Sequence, residues 1–103
     1  MIFISYWELN PDFDPTELSD MAQTLLNKKL VPYPNVKQLA WYICPDYWGI
    51  TVSESDSEEA MFEEQNMWRI AKPGVFKTIK TCIGMEITKV IPLMMKLGKK
   101  IKE

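Results

Sequence analysis

Glu64 is the residue whose surroundings could do chemistry. On a helical wheel drawn from residue 60, the side chains Ala60, Met61, Met67, Trp68 and Ala71 form one apolar arc, with Glu64 near its centre. A buried carboxylate without a partner costs several kcal/mol or keeps its proton. It therefore needs a lysine, a polar ligand or access to water. Around it the sequence offers aromatic side chains in adjacent pairs, Tyr6-Trp7, Trp41-Tyr42 and Tyr47-Trp48, besides Trp68 itself. Such rings can line an apolar pocket whose few polar groups orient a ligand. Glu64, Trp68, Tyr42, Trp41, Tyr6 and Trp48 are accordingly the candidate ligand-binding residues. The Tyr42 and Tyr6 hydroxyls matter most among the phenols, because a buried phenol usually finds a partner. An aromatic core and subunit interface is the competing account of the same rings.

Histidine is absent. That removes the commonest general base and the commonest metal or haem ligand, and with them any Ser-His-Asp or Cys-His nucleophile. Acid–base work would fall to carboxylates, Tyr, Lys or Cys, and no catalytic motif presents them. Cys44 and Cys82 match no metal or redox spacing; they read as buried, reduced thiols of a cytoplasmic protein. Glu58, Glu59, Glu63 and Glu64 share a helix and lack the glycine-bearing loop that calcium requires. No metal or cofactor is expected.

The 103 residues make the length of one domain, and 47% apolar with 25% charged residues is ordinary for a folded chain. No apolar run reaches the roughly 18 residues of a membrane span, and the N-terminus reads as a strand rather than a secretory signal. The net charge of −2 conceals an asymmetry. Residues 1–64 hold 12 acidic and 3 basic side chains, whereas residues 65–103 hold 9 basic and 2 acidic. The two parts are expected to face each other, within a chain or across a dimer. A nucleic-acid surface is disfavoured, since Arg69 is the one guanidinium in the basic part.

The elements that must position these residues can be read in order. Residues 1–8 (MIFISYWE) are apolar on both alternations, which suits a central strand buried on two faces. Asp14 can cap a helix, with Pro15 at its first position, Glu17 at the capping-box spacing and a Phe13–Leu18 staple. Leu18, Met21, Ala22, Leu25 and Leu26 form its stripe, and Lys28 and Lys29 close its last turn. Residues 36–44 and 48–54 make a hairpin around Pro45-Asp46, and each aromatic doublet in it puts one ring on each face. Asp56 and Glu59 suggest a second capping box, opening a helix that runs to about residue 72 and ends at Pro73-Gly74. The fourth strand is either 76–83 (FKTIKTCI) or 85–91 (MEITKVI). In the second case Pro92 starts a final helix over 93–102, apolar on one side and lysine-bearing on the other. That helix is expected to pack on the sheet rather than on a membrane surface.

Strand-helix-strand-strand-helix-strand plus a closing helix is an α+β, ferredoxin-like βαββαβ arrangement with a four-stranded antiparallel sheet. Its helices cover one face. Leaving the other wet would expose more apolar area than a monomer usually tolerates. Covering roughly 600 Å² is worth on the order of 15 kcal/mol gross, against about 4–15 kcal/mol for lost rigid-body freedom. A homodimer through the open sheet face is therefore expected. Trp41, the run Trp48-Gly49-Ile50 leading to Glu54, and Met67-Trp68-Arg69 resemble small prokaryotic members of the dimeric α/β-barrel superfamily. Met85-Glu86-Ile87-Thr88 followed by Pro92 resembles their last strand, which favours 85–91 as strand four. The resemblance implies a fold and a helix–sheet pocket. Some members are cofactor-free monooxygenases, while the haem-dependent ones rely on a histidine that this sequence lacks. The functional expectation is a module binding a small apolar or aromatic ligand or a protein partner. The alternatives are a cofactor-independent monooxygenase or isomerase using Glu64 and a Tyr hydroxyl, and an RNA-binding module, which no Arg/Lys-Gly-aromatic run supports.

Overall fold

A computed structural model describes all 103 residues. Seven elements follow one another: β1 (Ile2–Leu9), α1 (Pro15–Asn27), β2 (Lys37–Ile43), β3 (Trp48–Glu54), α2 (Glu58–Ala71), β4 (Phe76–Gly84) and α3 (Ile87–Lys102). The strands form one antiparallel sheet in the order β2-β3-β1-β4. β1, the segment greasy on both alternations, lies between two neighbours, as the ferredoxin-like arrangement requires.

Local chemistry explains the boundaries. Asp14 caps α1 by accepting from the Thr16 amide at 2.7 Å. Glu17 does not complete a capping box; it reaches Lys72 Nζ at 3.3 Å. Lys28 and Lys29 fall just beyond α1 rather than in its last turn, and Lys29 takes a positive φ of 56°. α2 is capped by Ser57, which accepts from the Ala60 amide at 3.0 Å, not by Asp56. In the hairpin, Tyr47 N–H closes back on the Cys44 carbonyl at 2.9 Å and φ is 60° at Tyr47, a tight turn ending in a left-handed residue.

Strand four is Phe76–Gly84, which corrects the expectation of 85–91. The turn at Lys72–Val75 delivers the chain straight into pairing along β1, from Phe76 opposite Leu9 to Gly84 opposite Ile2. A strand beginning at residue 85 would leave that whole edge of β1 unpaired. The following residues have helical rather than alternating spacing, so α3 starts at Ile87 and contains Pro92. No α3 residue is buried. The helix does not pack on its own sheet, contrary to expectation. A strand of about 30 Å continued by a helix of about 24 Å accounts for most of the 58 Å long dimension. The radius of gyration, 17.0 Å, exceeds the about 13 Å usual at this length.

The pleat sorts the aromatic doublets onto two faces. Phe3, Ser5 and Trp7 of β1 are buried towards α1 and α2, while Ile4 and Tyr6 point to the uncovered face. Trp48 and Ile50 of β3 join them there, and Tyr6 and Trp48 lie 5.9 Å apart between ring centroids. A register shift after Gln38 leaves Leu39 as the extra residue of β2 and keeps Trp41 inward and Tyr42 outward. Cys44 is half-buried and Cys82 is exposed, both as free thiols, which corrects the expectation that both are buried.

Candidate functional site

Packing between helices and sheet is complete only at one end. There Phe3, Val36, Ala60 and Met61 form a buried cluster with Tyr33 against it. From there along the sheet several inward positions of the central strands are small: Ser53 opposite Phe3, then Ser5 on β1 with Thr51 and Gly49 on β3. Helices spanning such a floor cannot close onto it. The result is a cleft of about 500 Å³ between α1, α2 and the sheet. Leu18, Met21 and Ala22 of α1 line one side, and Trp7, Trp41, Trp68 and Phe76 supply aromatic walls. Trp41 and Trp68 meet edge to face at 5.7 Å. Trp7 is held by its indole N–H, which donates to Thr51 Oγ1 at 3.0 Å.

The floor is polar and ordered. Thr81 Oγ1 donates to Gln65 Oε1 at 2.5 Å and lies 2.8 Å from Ser5 Oγ. With the Thr81 proton committed to Gln65, Ser5 is the donor in the second bond, and its oxygen still faces the cleft with free lone pairs. Ser53 Oγ is buried and has no hydrogen-bond partner. Natural structures contain few such groups, and each asks for an explanation.

Glu64 lies on α2 beside this floor, 5% exposed, and lines the cleft. Its Oε2 accepts from the Tyr33 amide at 3.4 Å. Burial raises its carboxyl above the ordinary range, and the Tyr33 N–H partly opposes that. The ion pairs of the chain lie elsewhere, at Lys72–Glu17 and between the N-terminal amine and Asp56. No lysine or arginine lines the cleft, and no cluster of His, Cys, Asp or Glu could hold a metal ion.

Comparison with solved structures places this architecture. A dimeric ferredoxin-like protein of unknown function from Thermobifida fusca superposes with a TM-score of 0.53 at 13% identity, over 79% of this chain and 85% of that one. A candidate antibiotic biosynthesis monooxygenase from Nitrosomonas europaea gives 0.54 at 13% identity, over 84% and 97%. The fold is ferredoxin-like. No protein-family model matches the chain, and no curated protein matches it in sequence.

Within this ferredoxin-like fold the six residues that the sequence nominates for ligand binding separate by strand parity. Glu64, Trp68 and Trp41 come together in the cleft. Tyr6, Tyr42 and Trp48 do not, because the pleat turns them to the uncovered face. The Tyr6 hydroxyl donates to Glu8 Oε1 at 2.6 Å, and that bond, the largest cause, raises its pKa. Trp7 and Tyr47, the other members of two of these aromatic pairs, line the cleft instead, as do Phe76 and Ser53, which carry no signal in the linear sequence. Pairing register places them: Trp7 lies opposite Gly49, and Ser53 opposite Phe3.

Proposed function

We propose that the chain binds a small, largely apolar ligand in the cleft between α1, α2 and the sheet, and that it works as a homodimer. One observation carries the binding reading: a cleft of about 500 Å³ whose aromatic walls meet a polar floor holding a buried hydroxyl without a partner. Ligand sites of this size combine apolar walls with a few convergent polar groups. The oxygenase or isomerase alternative needs a phenol beside the carboxylate. Tyr47 is the tyrosine that lines the cleft with Glu64, and neither Tyr6 nor Tyr42 can serve. The description of the Nitrosomonas neighbour supports testing that alternative, and binding is the step both readings share.

Dimerisation is supported by what the uncovered face exposes. Ile4, Tyr6, Tyr42, Trp48 and Ile50 are all exposed there, and the face also carries Glu8, Glu54 and Lys80. Aliphatic and aromatic side chains beside charges of both signs suit a second copy of the same face better than a nucleic-acid strand, which calls for a basic groove. The T. fusca neighbour is itself described as dimeric. The apolar side of α3, with Ile87, Ile91, Met94, Leu97 and Ile101 exposed, runs on from the end of the sheet and is assigned to the same association.

Native mass spectrometry of the purified protein tests both parts, with Nile red titration as a second readout of the cleft. The expected result is a dimer with saturable dye binding that Ala22→Trp, which fills the cleft, abolishes. A monomer with no dye binding would overturn the proposal.

A further inference from the structure

We infer that the cleft takes an organic monocation, a protonated primary or secondary amine on an apolar or aromatic body, with its ammonium against Glu64. The inference rests on the binding role proposed above and names the chemistry of the ligand. Glu64 is the one carboxylate among the side chains lining the cleft, and no lysine or arginine joins it there. It takes part in no ion pair, and its hydrogen bond from Tyr33 is long, at 3.4 Å. A neutral apolar ligand would drive water from this carboxylate and supply nothing in return, deepening the desolvation cost. A cation compensates the charge it displaces water from.

The remaining lining fits the same partner. Trp68 stands one helical turn beyond Glu64, and Trp41 packs against it. The faces of such rings attract a cation, the more so once it is desolvated. An ammonium that keeps its N–H bonds also needs acceptors, and the floor offers them. Ser53 Oγ is buried and unbonded, and Ser5 Oγ retains free lone pairs. A quaternary ammonium would leave those acceptors unused, which is why the inference specifies an amine.

The test is calorimetric titration of the intact chain with 2-phenylethylamine and n-octylamine, each against the alcohol of the same skeleton. Amines are expected to bind at least about tenfold tighter at pH 7. Glu64→Gln removes that preference and leaves the alcohols unaffected or tighter. A second readout uses the native chain alone: the preference falls as pH drops through the carboxyl range, since the amines stay charged throughout. The other titratable groups near Glu64 are Tyr47 in the cleft, and Tyr33 and Glu63 on its far side. The bond to Glu63, more than burial, raises the Tyr33 phenol's pKa, and Glu63→Gln is expected to change nothing. If alcohols bind as tightly as amines and compete for the same cleft, the binding role stands and this inference falls. If neither class binds at millimolar concentration, the binding role falls with it.

Discussion

At Gly49 an added Cβ would lie 2.6 Å from two ring carbons of Trp7 and closer still to the Tyr42 carbonyl oxygen. The indole and the hairpin backbone would both have to move, so Gly49→Ala is expected to cost about 1–3 kcal/mol, read as a lower urea midpoint. Gly84→Ala meets only the flexible end of Ile4 and should lose well under half as much. Glu64 adds a pH dependence with a definite sign. Its native carboxyl holds the proton more tightly than the unfolded one, so folding stability declines as pH rises from about 4.5 through the raised native value. Glu64→Gln should therefore unfold at higher urea than the native chain at pH 7, and the difference should vanish below about pH 4. Removing the orphaned hydroxyl by Ser53→Ala should stabilise the empty protein by about 1 kcal/mol, measured by the same denaturation. The wheel drawn from residue 60 already put Glu64 on the inner arc, because helical periodicity is a local property. Ser53 was illegible, since nothing in TVSES distinguishes a floor position until β3 is registered against β1.

Among the elements, β1, α1 and the hairpin could be read from the sequence because each carries its own signals: double-sided hydrophobicity, a cap with proline behind it, and a turn. The junction of β4 and α3 could not. Both 76–83 and 85–91 mix β-branched and apolar residues, and the choice between them is made by the vacant edge of β1, a contact some 70 residues away in the chain. α3 is apolar on the side carrying Val90, Met94, Leu97 and Ile101, and lysine-bearing on the side of Lys89, Lys96 and Lys100. Helices of this kind gain most of their stability by packing, and α3 has no packing partner within its own chain. Met94→Glu together with Leu97→Glu is expected to weaken self-association at least tenfold in sedimentation equilibrium. The near-ultraviolet signal of the tryptophans in the cleft should stay unchanged. Unchanged association with vesicle binding lost instead would assign α3 to a lipid surface.

For the whole molecule, one side-chain ion pair, Lys72–Glu17, joins the acidic and basic parts within the chain, and no acidic side chain pairs with the lysines of α3. Ile50→Glu, at the centre of the uncovered face, should convert the proposed dimer to a monomer on light scattering while the fold persists. The alternation of inward and outward residues has a consequence for how such a protein can change over generations. On the proposed function, the even-numbered positions of β1 serve assembly and Ser5, Trp7 and Leu9 serve the ligand, so substitutions can retune either trait without disturbing the other. A single inserted or deleted residue in that strand would exchange the two sets and abolish both traits at once. Divergence in this lineage should therefore accumulate by replacement within β1, with length variation confined to the loops.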